Sequence, residues 1–146
     1  MTAKEFNIGQ ASNVEGLMTL RSAFGSEETM ARLVAEIKAR GMRGFARINH
    51  ASLAAEAGLA LLPTELLIFG NPAAGTALMQ SNQAMGLDLP LKALVWQDVN
   101  NETWLAYNDI GWLAERYDVG LASEKTVKSM TAALDAIAKI AAGLPT

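Results

Sequence analysis

Apolar positions change their spacing several times along this chain, and each change marks an element. Residues 17–22, Leu17-Met18-Thr19-Leu20-Arg21-Ser22, are half apolar and follow Gly16, which suits a first strand. Ser26 followed by Glu27 and Glu28 is a helix start. A hydroxyl there can accept from an orphan N–H, and the carboxylates oppose the positive end of the helix dipole. Met30, Leu33, Val34 and Ile37 then recur at helical spacing, and Gly41 can close that helix in the left-handed conformation. Residues 44–50 alternate as a second strand that delivers His50 to its end, and the alanine-rich residues 51–57 form a brief helix closed by Gly58.

The run Thr64-Glu65-Leu66-Leu67-Ile68-Phe69 is almost continuously apolar, which predicts a central strand covered on both faces. Asn71-Pro72 opens a helix expected over residues 72–85, because proline fits the first helical position and leaves the asparagine free to cap. Residues 89–96 and 103–107 flank the polar cluster Asp98-Val99-Asn100-Asn101-Glu102, which predicts a β-hairpin. Asn108-Asp109 then caps a short helix through Trp112, Leu113 and Tyr117. Ser123-Glu124 starts a last helix striped by Val127, Met130, Leu134, Ile137 and either Ile140 or Ala141 and stopped by Gly143 and Pro145.

The resulting order, β-α-β-(α)-β-α-β-β-α-α, predicts an α+β fold: two layers, a mixed or antiparallel sheet of about five strands with helices packed on it. Residues 1–13 are polar and aperiodic and are expected to be a flexible tail, leaving residues 14–146 as one domain. A length of 146 residues with 51% hydrophobic and 18% charged side chains agrees with a single core.

Charge and composition remove several functions. A net charge of -3 gives no basic field for a phosphate backbone, and the aromatics are too scattered to stack bases, so no nucleic-acid partner is expected. The absence of cysteine excludes disulfides, thiolate metal sites and thiol nucleophiles. No signal-peptide core or membrane-length apolar run is present, so a cytoplasmic chain without a membrane partner is expected.

The segment Pro63-Thr64-Glu65-Leu66-Leu67-Ile68-Phe69-Gly70-Asn71-Pro72-Ala73-Ala74-Gly75-Thr76 resembles the domain of unknown function 302 family. There a proline-threonine-glutamate-leucine lead-in precedes a phenylalanine-glycine-asparagine-proline turn. Asn49-His50-Ala51, Leu87-Asp88-Leu89-Pro90-Leu91 and Trp104-Leu105-Ala106-Tyr107-Asn108-Asp109 agree in the same order. The resemblance implies a small α+β fold that tends to form homodimers, in prokaryotic proteins both cytoplasmic and exported, and it implies no reaction. Asn49 stands where the family often has aspartate, Ala77 where threonine-proline is common, and Asn100-Asn101 where the hairpin often has aspartate-glycine. The first departure weakens any metal or general-base role for the neighbouring histidine.

His50 is the only histidine, and its type titrates near neutrality, which makes it the first candidate for an acid–base group or a ligand contact. Glu65, Asn71, Asn108 and Asp109 all fall at element ends. A fold gathering those ends would give His50 a carboxylate orienter in Glu65 or Asp109 and amide hydrogen-bonders in Asn71 and Asn108. Each also has a structural explanation as a cap, a turn residue or a surface carboxylate. The glycines of residues 70–76 match neither a P-loop nor a dinucleotide fingerprint, so no cofactor is identified, and no metal-ligand spacing surrounds His50. The expected function is therefore binding of a small polar metabolite near His50. A cofactor-independent hydrolase, lyase or isomerase and an interaction module are the alternatives, while the seven methionines and Trp96, Trp104 and Trp112 serve packing in the core or a dimer interface.

Overall fold

The structure, a computed structural model, describes residues 14–146; the expected tail at residues 1–13 lies outside them. Five strands, β1 (Leu17–Arg21), β2 (Arg43–Asn49), β3 (Thr64–Gly70), β4 (Leu91–Gln97) and β5 (Thr103–Asn108), form one sheet in the order β1-β5-β4-β3-β2. Every neighbouring pair is antiparallel. Among the described residues five α-helices accompany them: α1 (Ser26–Ala39), α2 (His50–Glu56), α3 (Pro72–Ser81), α4 (Ile110–Arg116) and α5 (Glu124–Ala142). The α+β class and the order of elements are as the sequence predicts.

The core lies on one face of the sheet. Leu67 and Phe69 of β3, Leu91, Ala93 and Val95 of β4, and Leu105 and Tyr107 of β5 point to that face, two residues apart along each strand. They pack on Met30, Leu33 and Ile37 of α1 and Leu134, Ile137 and Ala141 of α5. Burying each large apolar side chain contributes roughly 1.5–3 kcal/mol. The opposite face is also apolar: Trp104 and Ala106 are buried outside this core, beside half-buried Leu66, Leu94 and Trp96.

Three local expectations need correction. The central strand is β4, not β3, which lies between β4 and the edge strand β2 and alternates in burial instead of being covered on both faces. Its apolar run comes from one core-facing set and one set on the second face. The N-cap of α1 is Gly25 with no side-chain bond, so Ser26 does not cap. Instead the Thr29 hydroxyl donates to the Gly25 carbonyl at 2.8 Å and accepts from Ser22 at 2.6 Å, a buried chain within the first turn. Finally, α3 stops at Ser81, because Asn82 is extended and its side chain accepts from the Ala84 N–H at 3.1 Å. A separate 3₁₀ turn, Gln83–Asp88, follows.

The two termini of the fold are fixed by close contacts at glycine. Gly16 has φ +77°, and a Cβ there would lie 2.3 Å from the Trp112 ring, so β1 and α4 meet only because this position has no side chain. Gly143, at φ +75°, closes α5 with its backbone against Phe24.

Candidate functional site

The antiparallel order decides which candidate residues meet. The ends of β2 and β4 and the starts of β3 and β5 share one end of the sheet, and Asn49 pairs directly with Glu65 there. Asn71 follows β3, and Asn108 and Asp109 close β5, at the opposite end. At about 3.3 Å per residue, a seven-residue strand separates the ends by about 20 Å. The five candidates therefore form no single site: His50 and Glu65 stay together, and Asn71, Asn108 and Asp109 are remote from them.

His50 is the first residue of α2 and is exposed, and among the described residues its imidazole makes no hydrogen bond or ion pair. Its neighbour Asn49 caps the helix by accepting from the Ser52 N–H at 3.0 Å. Glu65 does not orient the imidazole. Both its oxygens are taken by Arg47, whose Nε and Nη2 donate at 3.2 and 2.9 Å in a two-pronged ion pair.

Next to this pair opens a groove of about 1130 Å³. One wall is the start of α1, Gly25 to Glu28, and the other is α2 through Ala51, Ser52 and Ala55; the strand ends supply Arg47, Asn49, Glu65 and Gln97. His50 stands beside the groove without lining it. Among the described residues the Ser52 hydroxyl and the Asn49 amide nitrogen have no partner, so both can bond a guest. Three carboxylates, Glu27, Glu28 and Glu65, face a single guanidinium, so the lining favours neutral or cationic guests over anions. Among the described residues no group of three or more His, Asp or Glu is placed to hold a metal ion.

The remaining candidates have local partners. Asn71 Oδ1 accepts from the N–H groups of Ala73 and Ala74 at 2.9 and 3.4 Å and so caps α3. Asp109 caps α4 by accepting from the Trp112 N–H at 3.2 Å. Asn108 lines a void of about 10 Å³, with room for no more than about one water. The Tyr107 phenol near Asp109 is pushed up to about 12 by burial and then by the carboxylates of Asp135 and Asp109. The Tyr117 phenol is raised mainly because it donates to Asp88, which also accepts from Arg116.

Sequence reading passes over Arg47 and Gln97. Their signal is present in retrospect: Arg47, Asn49, Glu65 and Gln97 are polar positions on the core-facing side of their strands, breaking the apolar alternation at one end only. Recognising that the four adjoin requires the pairing register.

Comparison with known proteins gives three findings. The profile of the family described as domain of unknown function DUF302 matches residues 18–137. The chain is 47% identical over 128 residues to "Fluoride-specific ion channel FluC 1" of Brucella suis biovar 1 (strain 1330), covering 88% of this chain and 50% of that protein. It is equally similar to "Fluoride-specific ion channel FluC 1" of Brucella abortus biovar 1 (strain 9-941), covering 47% of it. This chain thus spans about half the length of the curated relatives it matches. A crystal structure of an uncharacterised conserved DUF302 protein from Bacillus stearothermophilus superposes with a TM-score of 0.78 at 22% identity, covering 88% of this chain and 99% of that one. At that identity the likeness establishes the fold. Among the described residues no helix is long and apolar enough to cross a membrane.

Proposed function

We propose that this chain, which belongs to the family of domain of unknown function DUF302, binds a small polar ligand in the groove beside His50. The observation that carries this reading is the groove itself: about 1130 Å³ of concave surface whose floor is the Arg47–Glu65 pair and whose sides offer groups on Asn49 and Ser52 that have no partner among the described residues. Its excess of carboxylates selects a molecule carrying an amine or another cationic group. Acid–base catalysis by His50, as a hydrolase, lyase or isomerase, would need a carboxylate in hydrogen-bond reach. Neither Glu65 nor Asp109 makes that contact, so binding is the better-supported reading.

The test is a thermal-shift and amide-NMR titration of the purified chain with amino acids, polyamines and aminosugars. A binder should raise the melting temperature and move the Asn49, Ser52 and Glu65 amides, and should lose its effect in Glu65→Ala. If no compound perturbs those amides saturably, the groove is not a binding site.

The exposed leucines Leu53, Leu59, Leu61 and Leu62 support a homodimer, which sedimentation analysis would detect. We place that dimer in the cytoplasm.

A second reading follows from the relatives. Because this chain is like half of two proteins named as fluoride-specific ion channels, the domain is proposed to accompany an ion-conducting membrane unit. Fluoride efflux from liposomes holding the Brucella suis chain should change when the half similar to this domain is deleted. Unchanged efflux would remove the reading.

A further inference from the structure

At the end of the sheet remote from His50, a second concavity of about 220 Å³ opens at the Gly70-Asn71-Pro72 turn. Its walls are almost wholly apolar, with Phe45 from β2, Leu89 and Pro90 before β4, Met79 from α3 and Met130 from α5. Asn71 and Thr76 are the two polar side chains on it. The Asn71 oxygen is spent on capping α3, while among the described residues its amide nitrogen and the Thr76 hydroxyl have no partner.

Gly75 lines the same cavity. It sits inside α3 and keeps the ordinary helical bond from its N–H to the Asn71 carbonyl at 3.0 Å, and a Cβ there would meet nothing within 4 Å. Glycine in a helix interior is less favourable than alanine by about 1 kcal/mol. Neither backbone conformation nor internal packing calls for glycine at this position, and its effect is to leave the cavity wall open. Met79 and Met130 are unbranched thioether side chains that adapt to a guest.

A cation lies next to two of the lining residues, Gly70 and Phe45, without itself lining the cavity. Arg43 pairs with Gly70 across the β2–β3 ladder and lies over the Phe45 ring, 5.3 Å from its centroid. Among the described residues it makes no ion pair. An anionic head is therefore complementary at the mouth, and an apolar body at the floor. The volume suits a body somewhat larger than one benzene ring, given that an apolar cavity of about 150 Å³ takes benzene.

We propose that this cavity binds a small apolar carboxylate, an aromatic or medium-chain acid, with its body between Gly75, Met79 and Met130 and its carboxylate at Asn71, Thr76 and Arg43. The site is separate from the polar groove and stands or falls independently of it.

The experiment is a titration of ¹³C-methyl-methionine protein with phenylacetate and with octanoate. Met79 and Met130 report the site, and the methyl groups of Met18 and Met30 serve as internal controls. Saturable shifts confined to Met79 and Met130 are expected. Gly75→Leu should abolish them without lowering the melting temperature. If that variant folds poorly, Gly75→Ala should still weaken binding severalfold. Arg43→Gln should weaken phenylacetate by about tenfold, the scale of one charge-assisted hydrogen bond, and leave the neutral phenylacetamide unchanged. The proposal is overturned if neither acid gives saturable shifts, as expected were the cavity to seat an apolar side chain of a protein partner. It is equally overturned if glycine replacement leaves affinity intact, or if the neutral amide binds as tightly as the acid.

Discussion

One end of the sheet finishes in Arg47, Asn49, Glu65 and Gln97 and bounds a wide polar groove, whereas the other finishes around Gly70, Asn71 and Pro90 and bounds a small apolar cavity. The same antiparallel ladder runs through both, so the contrast is made by side chains. At the groove end the core-facing rows turn polar for the last residue or two of each strand. At the cavity end they remain apolar, and glycine supplies the space. The lesson is that a two-layer fold can hold two chemically different concave surfaces about 20 Å apart, and that residues at strand ends are sorted between them by strand direction.

The largest test of this contrast is Asp98→Ala. Asp98 is buried at the groove end and accepts from the backbone of Asn100 and Glu102 and from the Trp104 indole at 2.8 Å. Orphaning these donors should lower stability by about 2–3 kcal/mol in urea unfolding, and a loss below about 0.5 kcal/mol would mean that water replaces the carboxylate. Asn71→Ala at the cavity end should cost about 1 kcal/mol through the lost cap. The amide shifts it causes should stay away from Asn49 and Ser52; if they reach those residues, the two ends are coupled.

The alkaline limb of stability sharpens the contrast further, since it belongs to the cavity end. Tyr107 ionises in the unfolded chain near 10 and in the folded protein at about 12, so its neutral form is favoured by folding. That contribution is present below pH 10 and is lost as pH rises from about 10 to 12. Tyr107→Phe should flatten the fall in melting temperature over that window, and an unchanged slope would show that the phenol does not drive it. The smallest effect belongs to His50→Ala. With an exposed side chain that has no partner among the described residues, the variant should stay within about 0.5 kcal/mol of the parent by chemical unfolding. A loss above about 1 kcal/mol would reveal a structural role.

Elements were legible where local chemistry decides them. Glu27 and Glu28 mark the start of α1, Asn71-Pro72 opens α3, the Asp98 cluster turns the hairpin, and Gly143 ends α5. The local errors have local causes: α1 is capped by Gly25, which has no side chain to bond, and Asn82 caps forward and cuts α3 short. The candidate site was legible only in its parts. Glu65 and Asn71 look equally available to His50 in sequence, yet they sit at opposite ends of one strand.

The sequence alone determined the α+β class, the order of strands and helices, the family, and the absence of thiol chemistry, because these follow from period, capping and composition within a few residues. Tertiary structure decided that β4 is central, that Arg47 claims Glu65, that His50 stands outside the groove, and that Gly75 opens onto an apolar cavity. Those outcomes depend on which strands pair and in which direction, a long-range choice that no local spacing encodes.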